Sequence, residues 1–120
     1  MEVMLITSRD TGRWVIPKGW PVAALSPSRS AEREAMEEGG LVGRIGNRPI
    51  GAYRYAKRLG DGSEVACVVE VFALAVKKQL KKWPEKDQRR ASWFPLTDAA
   101  EAVQEADLSE IIRNLDRLIA

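Results

Sequence analysis

A helix with both ends marked in the chain, Ser26-Pro27 at its start and Gly39-Gly40 at its finish, carries Glu34, Glu37 and Glu38. Ser26 is a good N-cap, and Pro27 suits the first helical position, where a missing N–H loses nothing. The paired glycines supply the left-handed exit of a C-cap. Steps of three and four residues return to the same side of a helix, so the three glutamates fall within an arc of roughly 100°. Like charges at that spacing repel, and an isolated helix gains nothing from them. A hard divalent cation with oxygen ligands reverses the sign of that interaction, which makes the cluster a candidate magnesium site. Ala31 and Ala35 beside the acidic arc are small enough to admit a neighbouring backbone. Upstream, Trp14-Val15-Ile16 reads as a short strand and Pro17-Lys18-Gly19-Trp20-Pro21 as a rigid loop. The order is strand, glycine loop, acidic helix. Glu-x-x-Glu-Glu alone would pass for a charged surface helix; joined to the glycine loop, the Ser-Pro start, Arg33 and the paired glycines it does not.

What the chain lacks narrows the chemistry further. It has no histidine, which removes serine–histidine and cysteine–histidine catalysis and the usual zinc sites. Acid–base work must fall to carboxylates, lysine, tyrosine or water on a metal. The one cysteine, Cys67, excludes an internal disulfide and fits a reducing compartment. Its apolar neighbours Val65, Ala66, Val68 and Val69 suggest an inert buried thiol. No apolar run approaches the roughly 20 residues that span a bilayer, and the first residues are too short and acidic for a signal peptide. A cytoplasmic, membrane-free protein is the expectation. The net charge of +2 is too balanced to suggest nucleic-acid binding, and no aromatic-interleaved basic patch supports it. Arg9, Arg13 and Lys18 before the acidic helix, with Arg54, Lys57 and Arg58 after it, are candidate phosphate contacts. Lys77, Lys78, Lys81 and Lys82 read more simply as a solvated group.

The 120 residues are expected to form one domain, 1–120. Glu2 to Thr7 and Arg13 to Ile16 read as strands joined in a hairpin around Asp10-Thr11-Gly12. Leu41 to Ile45 and Pro49 to Tyr55 are extended, the latter with Tyr53 and Tyr55 on one side. Gly60-Asp61-Gly62-Ser63 is a turn. Glu64 to Val76 is the longest apolar run, as a central strand buried on both faces would be. A short strand follows near Ala91 to Phe94. Thr97 is a candidate cap for a helix reaching Gln104. Asp107 and Glu110 resemble a capping box for a last helix that places Leu108, Ile111, Ile112, Leu115, Leu118 and Ile119 on one face. Helices before and after the strands suggest an α/β sandwich with a mixed sheet.

Gly19, Arg33, Glu34, Glu37, Glu38, Gly40 and Leu41, in this order and spacing, resemble the signature of the Nudix hydrolases. One position departs: Leu25 stands where that signature has a glutamate, which in the family helps to hold the arginine and the loop. Trp14 to Gly19, Gly51 to Tyr55, Val71-Phe72-Ala73, Trp83-Pro84-Glu85 and Trp93-Phe94 are similar to the diphosphoinositol and diadenosine polyphosphate branch. The resemblance implies a Nudix-type α/β/α sandwich whose sheet, here, is short of the strand that usually precedes Glu2 to Thr7. It implies hydrolysis of a phosphoanhydride, with Mg2+ or Mn2+ held by Glu34, Glu37, Glu38 and the Gly19 carbonyl. Arg33, one turn before Glu37, is an orienting partner in this reading, and one glutamate of the cluster or another outside it is the general base. Glu70, interrupting an apolar strand, is a candidate extra carboxylate; a paired or edge-facing glutamate is the plainer account. Trp20, next to Gly19, is the tryptophan to watch for ligand stacking. The alternative is a Nudix-fold sensor that binds polyphosphorylated ligands without cleaving them. The substrate within the class is left open, and so is a homodimer.

Overall fold

A computed structural model describes residues 1–19 and 21–119. Trp20 lies outside the described residues, and with it the expectation of ligand stacking there.

Strand β1 (Glu2–Thr7) is the spine of the molecule. It pairs antiparallel with β2 (Trp14–Val15) on one side and β7 (Ala91–Pro95) on the other. Successive strand side chains point to opposite faces, and β1 uses both. Met4 packs with Ala35 and Leu41, on the side of α1 (Pro27–Gly39) and β3 (Leu41–Ile45). Leu5 packs with Ala99, Ala100, Val103, Leu108 and Ile112, on the side of α2 (Leu96–Ala102) and α3 (Ala106–Arg113). Helices therefore cover both faces, giving an α/β/α sandwich. Leu5 and Ile6 are fully buried, each contributing roughly 1.5–3 kcal/mol relative to exposure. The registered strand pairings are antiparallel, and the parallel component is an isolated bridge between Trp14 and Val103.

The segment expected to be one buried strand, Glu64 to Val76, is two. β5 (Glu64–Val71) pairs with β4 (Gly51–Arg58), while β6 (Leu74–Gln79) pairs with β3. Phe72-Ala73 carries the chain from one pair to the other. β5 is covered on one face only: Cys67, Val69 and Val71 are half-buried, whereas Val68 is 69% exposed. Cys67 is thus a half-buried thiol rather than a buried one, and Glu70 lies on the exposed face.

The C-terminal third departs from expectation at its caps. α2 starts at Leu96 behind Pro95, so Thr97 sits inside the first turn and does not cap it. The helix stops at Ala102 because Val103 turns extended, buries itself and bridges to Trp14. Asp107 and Glu110 form no capping box. Glu105 occupies the N-cap of α3 without a side-chain cap, its carboxylate being bound by Arg13 at 2.7 Å. Nor is the last helix continuous. Asn114 interrupts it before α4 (Leu115–Leu118), with its amide donating to the Glu110 carbonyl at 2.9 Å. Leu108 and Ile112 are buried, but Leu118 and Ile119 are 44% and 45% exposed. Among the described residues no helix is long and apolar enough to cross a membrane.

Candidate functional site

The caps of α1 fix where its carboxylates stand. Ser26 Oγ accepts from the Arg29 N–H at 3.3 Å, and Pro27 opens the first turn. At the other end Gly40 takes φ +69°, and its N–H donates to the Met36 carbonyl at 2.9 Å. A side chain at Gly40 would collide with the Trp83 ring, 2.3 Å from the position of its Cβ. The loop before α1 is tied down by Val22 N–H donating to Ser30 Oγ at 3.1 Å. Leu25, 37% exposed, is the last loop residue before Ser26.

Glu38 is buried to 4% exposure. Its Oε1 receives the Lys18 backbone N–H at 3.4 Å and lies 3.5 Å from Arg89 Nη2. Burial pushes its carboxyl up to about 8, a hydrogen bond with Glu34 adds to that, and Arg89 pulls the other way. Glu34 in turn presses on the glycine loop. A Cβ on Gly19 would lie 2.5 Å from Glu34 Cδ and 2.6 Å from its Oε1, so a side chain here would push the Glu34 carboxylate out of its present place. Glu37, one position before Glu38, turns to Arg33, with Nε donating to Oε1 at 2.6 Å. Among the described residues no three Asp, Glu, His or Cys side chains form a ready-made cation cage. Glu34 and Glu38 converge, and Glu37 is held aside.

The donor set suits a hard divalent cation. Two carboxyl groups in hydrogen-bond contact, one of them made a weaker acid by burial, are what such an ion stabilises by taking the proton's place. The Gly19 backbone also lies close to the Glu34 carboxylate.

The basic residues are placed unevenly. Lys18 and Lys57, with Gly19, Glu34 and Tyr55, border a mostly apolar cavity of about 740 Å³ that runs on past Val69, Leu74 and Leu108. Lys18 Nζ lies 4.7 Å from the Tyr55 ring centre, a cation–π arrangement. Burial lowers its pKa, opposed by Glu38. Arg13 is engaged by Glu105 through both terminal nitrogens, at 2.7 and 3.2 Å. Arg9 donates to Gln88 Oε1 at 2.8 Å. Arg54 is exposed, on the face of β4 opposite to Tyr53 and Tyr55.

Trp83, Glu85 and Arg89 lie near the cluster, a place that the sequence reading did not give them. Glu85 N–H donates to the Glu37 carbonyl at 3.0 Å, and Arg89 Nε pairs with Glu85 Oε1 at 2.9 Å. The opposite charges four residues apart were a visible signal for that pair. Nothing local showed that the segment would fold across the end of α1.

The family profile described as NUDIX domain matches residues 1–115. Nudix hydrolase 13, mitochondrial, of Arabidopsis thaliana is 30% identical over 129 residues, covering 100% of this chain and 62% of that protein. Nudix hydrolase 12, mitochondrial, of the same plant is 30% identical over 104 residues, covering 84% of the chain and 51% of that protein. Diphosphoinositol polyphosphate phosphohydrolase 3-alpha of Mus musculus is 30% identical over 106 residues, covering 86% and 60%. The chain thus spans between half and about three-fifths of the length of these curated relatives. With a profile match over nearly its whole length, added to the acidic helix and glycine loop, the chain belongs to the NUDIX domain family.

Proposed function

We propose that this chain hydrolyses a phosphoanhydride with the help of a divalent cation. The observation that carries the reading is the contact of Glu34 with Gly19 and Glu38 beside a cleft that also holds Lys18 and Lys57. In this reading Glu34, Glu38 and the Gly19 carbonyl hold Mg2+ or Mn2+, joined by Glu37 on release from Arg33. When bound, the ion supplies charge neutralisation on the diphosphate and a more acidic water. Lys18 and Lys57 contact phosphate oxygens from the cleft wall. Arg9 and Arg13 would first have to leave their protein partners, and Arg54 would have to reach round the hairpin. Until that release Arg33 holds Glu37 in position, and the general base comes from the glutamate cluster.

The relatives' names suggest where to look for a substrate. Diphosphoinositol polyphosphates are part of one relative's name, and diadenosine polyphosphates share the same anhydride. A small-molecule substrate and a single domain belong to this reading. Nucleic acid ranks below it. A cytoplasmic location is the starting assumption, set against the mitochondrial names of two relatives. A panel of phosphoanhydrides, assayed for phosphate release with magnesium and then manganese, tests it. The expected result is turnover that vanishes on chelation. A folded protein that binds these compounds yet cleaves none with either metal would instead be a sensor, the reading that Leu25 favours.

A further inference from the structure

We propose that Arg89 is a positioning residue for Glu38, holding one carboxylate oxygen so that the other is presented to the cation. This rests on the metal-assisted reading above. Three nitrogens of the Arg89 guanidinium face three different segments. Nε meets Glu85 Oε1 at 2.9 Å, Nη1 donates to the Thr7 carbonyl at 3.1 Å, and Nη2 lies 3.5 Å from Glu38 Oε1. The side chain is only 11% exposed. The planar fork thereby joins the end of β1, the segment after Trp83 and the last turn of α1. The Lys18 N–H also approaches Oε1 of Glu38, so the Lys18 amide and the Arg89 guanidinium face the same oxygen, and in this proposal Oε2 is the oxygen offered to the ion.

A bare arginine next to a cation site would oppose metal binding. Glu85 lessens that opposition, because it lies nearer to the guanidinium than Glu38 does. Glu38 therefore faces a guanidinium whose charge is offset in part by Glu85, while its pull on the Glu38 carboxyl persists. Groups that orient a metal ligand from behind commonly change metal affinity or activity by about 10–100-fold when removed.

The test is calorimetric binding of magnesium, and of manganese, to the substrate-free protein, followed by steady-state kinetics. Arg89→Gln should weaken metal binding by about 10–100-fold and lower kcat, with KM for the anhydride changed by no more than about twofold. Arg89→Lys should not rescue, since a single ammonium cannot span three acceptors. Glu85→Gln should give a smaller loss, and no further loss when added to Arg89→Gln. If Arg89→Gln does not fold, Glu85→Gln alone must still weaken the metal. Unchanged metal affinity in the variants, or full rescue by lysine, would make Arg89 a structural cross-link and overturn the assignment. A wild type that binds neither metal would instead overturn the metal reading itself.

Discussion

The last turn of α1 and the β4–β5 hairpin invert the usual relation between polarity and burial. Glu38, a carboxylate, is 4% exposed, whereas Val68 is 69% exposed and Val65 42%. The difference lies in how many chain segments meet at each place. Around Glu38 the glycine loop, the end of β1, α1 and the segment after Trp83 converge. β5 has β4 as its strand partner and one covered face. Burying a carboxylate without a full set of partners is costly, so the burial of Glu38 beside exposed valines supports the proposal that the end of α1 serves chemistry. The largest effect should follow from that contrast. Glu38→Gln should lower turnover by about 10²–10⁴-fold, the range for losing an acid–base group, with circular dichroism unchanged. Val68→Thr should alter neither activity nor stability by more than about 0.5 kcal/mol. A hairpin substitution that matched the glutamate would erase the distinction.

Two glycines sharpen the same comparison on the scale of stability. Gly40 and Gly62 both have positive φ, +69° and +87°. A methyl at Gly40 would meet the Trp83 ring at 2.3 Å, whereas nothing lies within 4 Å of one at Gly62. Gly62→Ala should therefore cost about 1–2 kcal/mol, the left-handed penalty alone. Gly40→Ala adds an overpacking term of about 1–3 kcal/mol, and should lower the calorimetric midpoint by clearly more. Equal shifts would mean that Trp83 yields freely and does not brace the end of α1.

What could be read in advance follows the same division. The α1 helix was legible because its signals are local: Ser26, Pro27 and Gly40 act within one turn of their own positions. So was the pairing of Arg33 with Glu37, one turn apart. The split of Glu64 to Val76 was not, because valine-rich runs read alike whether they make one strand or two, and Phe72-Ala73 carries no turn residue. The capping failure at Asp107 has a long-range cause, since the Glu105 carboxylate is drawn to Arg13, far away in sequence. Arg89 was hidden for the same reason. Its acceptors Thr7, Glu38 and Glu85 come from three places in the chain, and only the tertiary fold assembles them.

Titration separates the two regions next. With the Glu38 carboxyl raised in the folded protein to about 8 from an ordinary 4.5, its protonated form favours the fold. That contribution is complete below about pH 4.5 and is lost as pH rises through 8. In metal-free protein the thermal midpoint should therefore fall between about pH 5 and pH 8. Magnesium must displace the proton to bind, so it should raise the midpoint more at the upper end of that window. Glu38→Gln should flatten both trends. Asp61, in the hairpin turn, is held below its ordinary value by hydrogen bonds from Ser63. Its titration is complete at lower pH, and it should leave no mark in this window. A midpoint insensitive to pH and metal in the wild type would contradict the burial of Glu38.

The smallest expected effect concerns the loop ahead of α1, where Leu25 replaces the glutamate of the family signature. The leucine is 37% exposed, so removing it leaves little cavity behind. Arg33, whose side chain is 54% exposed, pairs at present with Glu37 alone among the described residues. A carboxylate at position 25 would compete for that guanidinium, freeing Glu37 to join Glu34 and Glu38 while drawing the loop onto the helix. An exposed ion pair contributes about 0.2–1 kcal/mol, so Leu25→Glu should raise kcat by no more than about fivefold at the upper limit of that range. The gain should shrink at high salt, since the pair is screened there, and vanish in the Arg33→Gln background. A loss of activity, or a gain that survives without Arg33, would show that the leucine is not what limits this loop.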